Sequence, residues 1–407
     1  MDKEIILLNI SGQDKPGLTS ALTNVLSEYG AKILDIGQAN IHDTLSLGMM
    51  FEIKKGEQSA AVLKDLLFKS YELGIQAEFN PISLVDYEKW VTLQGKDRYI
   101  ITILGEKLEA KQISEVTKVI SDKNLNIDAI KRLTGRLSLV KEEEYPRASI
   151  QLSIRGKIDC KVGLTEKFMQ ISQDLDVDIA FQEDNIYRRN RRLVCFDMDS
   201  TLIQTEVIDE LAERAGVGDK VKAITESAMN GEIDFKESFK QRMKLLKGLS
   251  EDVLHDIAVN LPITKGASRL MDTLKSYGFK TAILSGGFTY FGNYLKDQLG
   301  MDYVYANQLE IKDGVLTGNY LGEIVDGAKK AEYLKEIAQK LDINISQTIA
   351  VGDGANDLGM LNVAGLGIAF HAKPTVKDNA QNSISSIGLD GVLYLLGYHD
   401  RHIDLLD

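Results

Sequence analysis

Leu193-Val194-Cys195-Phe196-Asp197-Met198-Asp199-Ser200-Thr201-Leu202 is the stretch from which the rest of the chain is read. Four uncharged, mostly apolar residues make a strand buried on both faces, and two carboxylates follow at once. Burying such a pair is costly unless a charge partner sits beside it. At the carboxyl end of a parallel strand, the pair faces the crevice where α/β sheets bind ligands. Spaced i, i+2, one acid can attack while the other moves protons. Taken alone, the same residues also read as a strand-to-helix turn in which Asp199 or Ser200 caps the next helix.

Working toward the C-terminus, three more short apolar runs end in polar or glycine residues: Thr281–Leu284, Thr348–Val351 and Leu366–Phe370. Helical segments separate them, which predicts a parallel sheet with helices on both faces. The second tip, Ser285-Gly286-Gly287, offers a hydroxyl and backbone N–H groups that can approach an anion closely. The third, Gly352-Asp353-Gly354-Ala355-Asn356-Asp357, brings two carboxylates and an amide together, hard oxygen ligands of the kind that suits Mg2+. It is also ordinary turn composition. Residues 207–265 are mostly helical and read as a small cap inserted between the first two strands.

Toward the N-terminus, one pattern occurs twice. Residues 4–10 read as a strand, and Leu18, Leu22, Val25 and Leu26 then follow the helical period behind Lys15-Pro16-Gly17. Strands over Lys32–Ile41 and Leu45–Ile53, a helix over Ser59–Tyr71 and a strand over Gln76–Leu84 complete a βαββαβ unit. The order repeats from Arg98, with strands at Tyr99–Leu104, Asn126–Leu133, Ala148–Ile154 and Val177–Phe181 and helices at Ala110–Ser121 and Val162–Gln173. Each unit is ferredoxin-like. Tyr187-Arg188-Arg189-Asn190-Arg191-Arg192 marks the next boundary and reads as a solvated connector, although a basic run can also bind anions. Trp90 falls in the linker between the repeats, with no role assigned.

The domains expected are 1–86, 97–184 and 185–407. The fold class is α/β: a C-terminal Rossmann-like parallel sheet with a helical cap, preceded by two α+β ferredoxin-like domains. The 407 residues carry a net charge of −12, which argues against nucleic-acid binding and requires a local cation or a cluster of donors wherever an anion is handled. Two cysteines, Cys160 and Cys195, make no disulfide framework and fit a reducing compartment. The apolar run Ile5 to Leu8 is too short for a signal peptide or a membrane span. A cytoplasmic protein with no membrane partner is expected. The five histidines show no metal-ligand spacing with the cysteines, so no zinc site is expected.

The Asp197 stretch resembles the first motif of the haloacid dehalogenase superfamily of phosphotransferases. Together with Ser285-Gly286-Gly287, the GDGxND segment at 352–357 and Lys330 of Asp326-Gly327-Ala328-Lys329-Lys330, it resembles the phosphoserine phosphatases over residues 185–395. By spacing to Asp353, Lys330 matches the family's phosphate-clamping lysine better than Lys329. The resemblance implies hydrolysis of O-phospho-L-serine through a phosphorylated Asp197, with Asp199 as general acid and base. It implies Mg2+ held by Asp197, Asp353 and the carbonyl of Asp199, supported by Asp357. Ser285, Gly286, Lys330 and Asn356 would contact phosphate or substrate, and Glu206 would pair with the substrate ammonium. Met229 and Phe235 would shield the substrate, and Arg242 would take its carboxylate, for which a guanidinium is well shaped.

The first half resembles paired ACT domains, small amino-acid-binding regulatory modules, most clearly at Gln13-Asp14-Lys15-Pro16-Gly17-Leu18. This implies an amino-acid effector such as L-serine near Asp14 and Gly17, and a homodimer. The second copy reads Gly105-Glu106-Lys107-Leu108-Glu109 there, without the Pro-Gly. Two other functions stay open: a related phosphatase or phosphotransferase acting on another small phosphate, and an amino-acid sensor with a vestigial phosphatase domain.

Overall fold

In a computed structural model of the protein, which describes residues 3–93, 97–136, 138, 140, 146–158, 160, 162–229 and 231–403, the chain divides into two units, Met1–Lys96 and Asp97–Asp407. The first contains β1 (Lys3–Gln13), α1 (Leu18–Glu28), β2 (Lys32–Ile41), β3 (Thr44–Lys54), α2 (Glu57–Leu73) and β4 (Gln76–Ile82). Its antiparallel sheet runs β2-β3-β1-β4. Leu8, Ile10, Leu47, Met49 and Phe51 of the sheet meet Leu18, Leu22 and Leu26 of α1 and Val62 and Leu66 of α2. Gly17 precedes α1 with φ at 91°, a left-handed backbone that glycine adopts without strain. A further helix, α3 (Leu84–Thr92), occupies what the sequence suggested was linker, and Trp90 lies on it beside Tyr87. Ser83 starts α3, its Oγ accepting from Asp86 N at 3.1 Å.

The second unit begins with the same pattern: β5 (Arg98–Gly105), α4 (Ala110–Asp122), β6 (Asn126–Arg132), β7 (Ala148–Arg155), α5 (Val162–Leu175) and β8 (Asp178–Glu183), in sheet order β6-β7-β5-β8. The basic run that follows departs from the expected solvated connector. Arg189 and Arg192 are exposed, but Arg188 and Arg191 are each only 7% exposed. Nine residues join β8 to the next buried strand, so the run must cross the junction between the two folds. Arg191 Nη1 donates to Thr348 O at 3.1 Å on the way.

Next come β9 (Leu193–Phe196), the cap helices α6 (Val207–Arg214), α7 (Gly218–Met229), α8 (Phe235–Leu245) and α9 (Glu251–Val259), then α10 (Ala267–Ser276), β10 (Lys280–Phe288) and α11 (Thr289–Leu299). The chain continues through β11 (Tyr303–Lys312), β12 (Val315–Leu321), α12 (Gly327–Lys340), β13 (Thr348–Gly352), α13 (Leu358–Val363), β14 (Leu366–Phe370) and α14 (Pro374–Lys377). It finishes with β15 (Asn382–Ile384), α15 (Gly391–Leu395) and α16 (Asp400–Ile403). The seven-stranded sheet has the order β12-β11-β10-β9-β13-β14-β15, parallel except for β12. Pairing with β10 and β13 places β9 at the sheet's centre, and its side chains alternate between the two faces. Leu193 and Cys195 face the core under α12 and α13, while Val194 and Phe196 face the core shared with the cap, α10 and α11.

The antiparallel hairpin β11–β12 was not expected from the sequence. Its tip reaches the cap, where Gly248 N donates to Leu316 O, Leu316 N to Leu249 O and Glu251 N to Gly314 O, at 2.8, 2.9 and 2.8 Å. Inside the second unit, the ferredoxin-like fold is joined to the α/β fold by buried acids. Asp178, at the start of β8, accepts from Ser385 N, Ser386 N and Ser386 Oγ. Asp390 pairs with Arg147 and Arg269, and Asp400 accepts from Gly135 N and Arg269 Nη2. Leu104, Leu133 and Ala180 share one hydrophobic core with Leu389, Val392, Leu393, Tyr394 and Leu395.

Candidate active site at the strand tips

Three neighbouring parallel strands each deliver one part of a site: β9 ends at Asp197 and Asp199, β10 at Ser285–Gly287, and β13 at Asp353, Asn356 and Asp357. Pairing sets the alignment. Phe196 sits opposite Ile283 on one side and Val351 on the other, and Asp197 N donates to Val351 O at 2.9 Å. The chain then makes a wide turn, Met198–Leu202, in which Ser200 takes φ of 55°. Left-handed backbone in a non-glycine residue costs about 1 kcal/mol or more and is found where surrounding contacts hold it. Here Ser200 Oγ donates to Glu206 Oε1 at 2.8 Å, Thr201 Oγ1 donates to Asp353 Oδ1 at 3.0 Å, and Asp199 Oδ1 accepts from Val207 N at 3.0 Å. The two glycines on β10 have steric reasons. A Cβ at Gly287 would lie 2.6 Å from Asp199 Oδ2, and one at Gly286 would lie 3.1 Å from the Phe235 ring.

Lys330 is fully buried, with Nζ 2.8 Å from Asp197 Oδ1 and 2.7 Å from Asp357 Oδ1. Its neighbour Lys329 points the other way, to Glu323 and Glu332 at 3.1 and 3.0 Å. Asp326 fixes that orientation by capping α12, accepting from Lys329 N at 2.9 Å. One oxygen from each of Asp197, Asp353 and Asp357 lies within 4.8 Å of the others. Burial and the charge on Asp357 push the Asp197 carboxyl well up, with Lys330 opposing. Burial and Glu206 push Asp199 up to about 8, and burial and Asp357 push Asp353 up to about 7. One ammonium does not offset this crowding of carboxylates. The donor set fits a hard divalent cation, which takes carboxylate and carbonyl oxygens and reverses the repulsion.

The cap supplies the facing wall. Phe235 and Arg242 come from α8, and Arg242 is largely buried with Nε donating to Ser238 O at 3.4 Å. Burial lowers its pKa, while the charges of Asp209, Glu206 and Asp199 oppose that shift. Asp209 therefore joins Glu206 as an acid facing the arginine, and the sequence reading missed it; its i+3 spacing from Glu206 on α6 was the available signal. Met229 ends α7, and its side chain lies outside the described residues. Asn356 is half-buried, with its carbonyl against Gly327. Asn307 was also missed: its Nδ2 donates to Gly286 O at 2.7 Å while its Oδ1 accepts from Val325 N at 2.8 Å. No sequence signal pointed to it. Asp14 and Gly17 lie in the β1–α1 loop of the first unit, where Asn40 Nδ2 donates to Asp14.

A central strand tipped by two carboxylates, flanked by a Ser-Gly-Gly loop, a buried lysine and an acidic third tip, defines a haloacid dehalogenase-like hydrolase. The family model of that description matches residues 191–365, and ACT-domain models match residues 4–80 and 98–182. The chain is 36% identical to "Phosphoserine phosphatase SerB2" of Mycobacterium tuberculosis, over 100% of its own length and 96% of the relative's. It is 38% identical to a phosphoserine phosphatase of Streptomyces coelicolor, over 100% and 95%. The crystal structure of a probable phosphoserine phosphatase from Vibrio cholerae superposes with a TM-score of 0.58 at 37% identity, covering 73% of this chain and 86% of that one. The chain belongs to the phosphoserine phosphatase family.

Proposed function

We propose that the protein hydrolyses O-phospho-L-serine to L-serine and inorganic phosphate, the closing step of serine synthesis, with an amino acid acting on its ACT domains. The observation that carries the chemistry is the contact of fully buried Lys330 with Asp197, directly beside Asp199. Asp197 is the nucleophile: its carboxylate oxygen bonds to phosphorus in line as the bond to the serine oxygen breaks. Asp199 gives its proton to the departing oxygen, then takes one from the water that attacks the phosphorylated Asp197 and releases phosphate. Ser285, the Gly286 backbone and Lys330 stabilise charge on the remaining phosphoryl oxygens, and Asn356 orients them. Asp197, Asp353 and the Asp199 carbonyl would hold Mg2+, backed by Asp357, and the ion supplies charge that offsets repulsion of the phosphate dianion.

Substrate choice rests on the cap. Glu206 takes the ammonium and Arg242 the carboxylate of phosphoserine, while Phe235 and Met229 exclude water. Asp14 and Gly17 form the effector site, with L-serine as the first ligand to test. A homodimer is supported by apolar side chains left exposed in the first unit: Ile33, Ile36 and Ile41 on edge strand β2, and Leu67, Phe68 and Tyr71 on α2. A cytoplasmic location accords with the two free thiols. Among the described residues, no helix is long and apolar enough to cross a membrane.

Phosphate release from L-phosphoserine, with and without Mg2+ and against a panel of other small phosphoesters, tests the reading. Fast, selective and metal-dependent release is expected, and none from Asp197→Asn. Indiscriminate release would remove the roles given to Glu206 and Arg242, and turnover by Asp197→Asn would remove the nucleophile.

A further inference from the structure

The basic run between β8 and β9 lines a cavity of about 550 Å3 at the junction of the second ferredoxin-like fold and the α/β fold. Lys131 and Gln151 enter it from β6 and β7, Arg188, Arg191 and Arg192 from the connector, and His399 from the C-terminal segment. The charge is one-sided in a protein whose net charge is −12. Asp184 is the sole acid among the described residues of the lining, and it is engaged by Arg189 at 3.0 Å.

Two of the arginines are more than nine-tenths buried, and their hydrogen bonding is incomplete. Arg188 Nε and Nη2, Arg191 Nε and Gln151 Nε2 have no acceptor among the described residues. Burial lowers the pKa of Arg188 and brings that of Arg191 down to about 10, with Asp184 opposing at Arg188 and no acid opposing at Arg191. A protein that buries guanidinium groups ordinarily gives them carboxylates or carbonyls, because a buried cation without acceptors is expensive. Arginine also presents a planar fork that fits tetrahedral oxyanions.

We infer that this junction cavity is a binding site for a diphosphate-class oxyanion, free or carried on an organic group. Among the described residues, Lys131, Arg188, Arg191 and Arg192 make no salt bridge to a carboxylate, and four such cations match the three or four charges of a diphosphate better than those of a single carboxylate. Tyr277 and Tyr398, stacked with centroids 4.6 Å apart at the same cavity, offer an aromatic surface for an organic carrier. Because the cations come from both sides of the junction, bound anion favours the docked arrangement and so stabilises the second unit. The inference goes beyond the phosphatase reading and uses none of its residues.

The test is calorimetric titration of the full chain in EDTA with inorganic pyrophosphate and, separately, adenosine diphosphate. Without metal, the crowded carboxylates at the strand tips repel both anions, so heat reports on the junction. Saturable binding near 1:1 and a rise in unfolding temperature are expected for pyrophosphate, with at least tenfold weaker binding in Arg188→Gln or Arg191→Gln. Should those buried substitutions impair folding, the double variant Lys131→Gln/Arg192→Gln changes only exposed side chains and is expected to weaken binding at least fivefold. Tighter binding of adenosine diphosphate than of pyrophosphate assigns the site to an organic diphosphate, and the reverse assigns it to the free anion. No saturable binding of either probe by the unaltered protein at millimolar concentration overturns the inference, as does unchanged affinity in the double variant.

Discussion

The two ferredoxin-like folds share one sheet order and differ in what they leave uncovered. In the first, edge strand β2 is exposed throughout or nearly so, and α2 shows Leu67, Phe68 and Tyr71 to solvent. In the second, β8 begins with Asp178 buried against Ser385 and Ser386, and the core runs on into the α/β fold through Leu104, Leu133 and Ala180. The β1–α1 loop keeps Gly17 in a left-handed conformation, whereas Glu109 occupies the corresponding place before α4 with ordinary extended backbone and its N–H bonded to Gln112. One topology thus serves two ends: the first copy keeps a free loop and open faces, and the second has become part of the hydrolase core.

The largest effect should come from breaking the second copy's attachment. Asp178→Ala leaves the Ser385 and Ser386 backbone N–H groups without their acceptor and the Ser386 hydroxyl with only Leu104 O, and should cost about 3 kcal/mol or more in the denaturant unfolding of the second unit. A loss under about 1 kcal/mol would mean that Asp178 does not hold the second copy to the α/β fold. Next is Gly17→Val, which forces a β-branched residue to positive φ and should destabilise the first unit by about 1–2 kcal/mol. Turnover without effector should stay unchanged, while the response to L-serine falls.

A smaller effect depends on pH. Burial raises the Asp400 pKa, but Gly135 N–H, Tyr394 and Arg269 outweigh it and hold the carboxyl below its ordinary value. The unfolded chain therefore binds the proton first, so the stabilisation is present above about pH 3.9 and is lost as pH falls through the lower folded value. The stability gap between the unaltered protein and Asp400→Asn should close on acidification through that range. The smallest effect is expected at Gln76, which opens β4 as Asp178 opens β8 and is exposed. Gln76→Ala should change stability by less than about 0.5 kcal/mol, and a larger loss would show that β4 also has a partner to lose.

Much of this was legible before the structure. Parallel strands buried on both faces are short apolar runs, and their acidic and glycine tips name the chemistry by residue type. The hairpin β11–β12 was legible too but was missed: Asp313 and Gly314, at φ 53° and 76°, form the two-residue turn that Asp-Gly favours between alternating strands. The fate of the basic run was not legible, because six polar residues look alike whether they cross water or a domain junction. Which of Arg188–Arg192 would be buried depends on where β8 and β9 are pinned, a tertiary fact. The same holds for Asn307 and Asp178, single polar residues whose partners lie far away in sequence.

The tether between hairpin and cap has a mechanical consequence. Three main-chain hydrogen bonds join Gly248, Leu249 and Glu251 to β12 and the turn before it, while Phe239 of α8 wedges between Tyr320 and Phe288 with centroids 5.4 and 6.1 Å away. A lid stitched along one margin cannot lift as a plate; it can only swing about that seam. The axis of any swing then lies along β12, at the edge of the sheet and two strands from β10, so Ser285 and the phosphate cradle stay with the sheet. Phe235, at the first turn of α8, sweeps a longer arc. Loading and unloading a substrate can therefore move the wall that reads it while barely disturbing the atoms that cleave it.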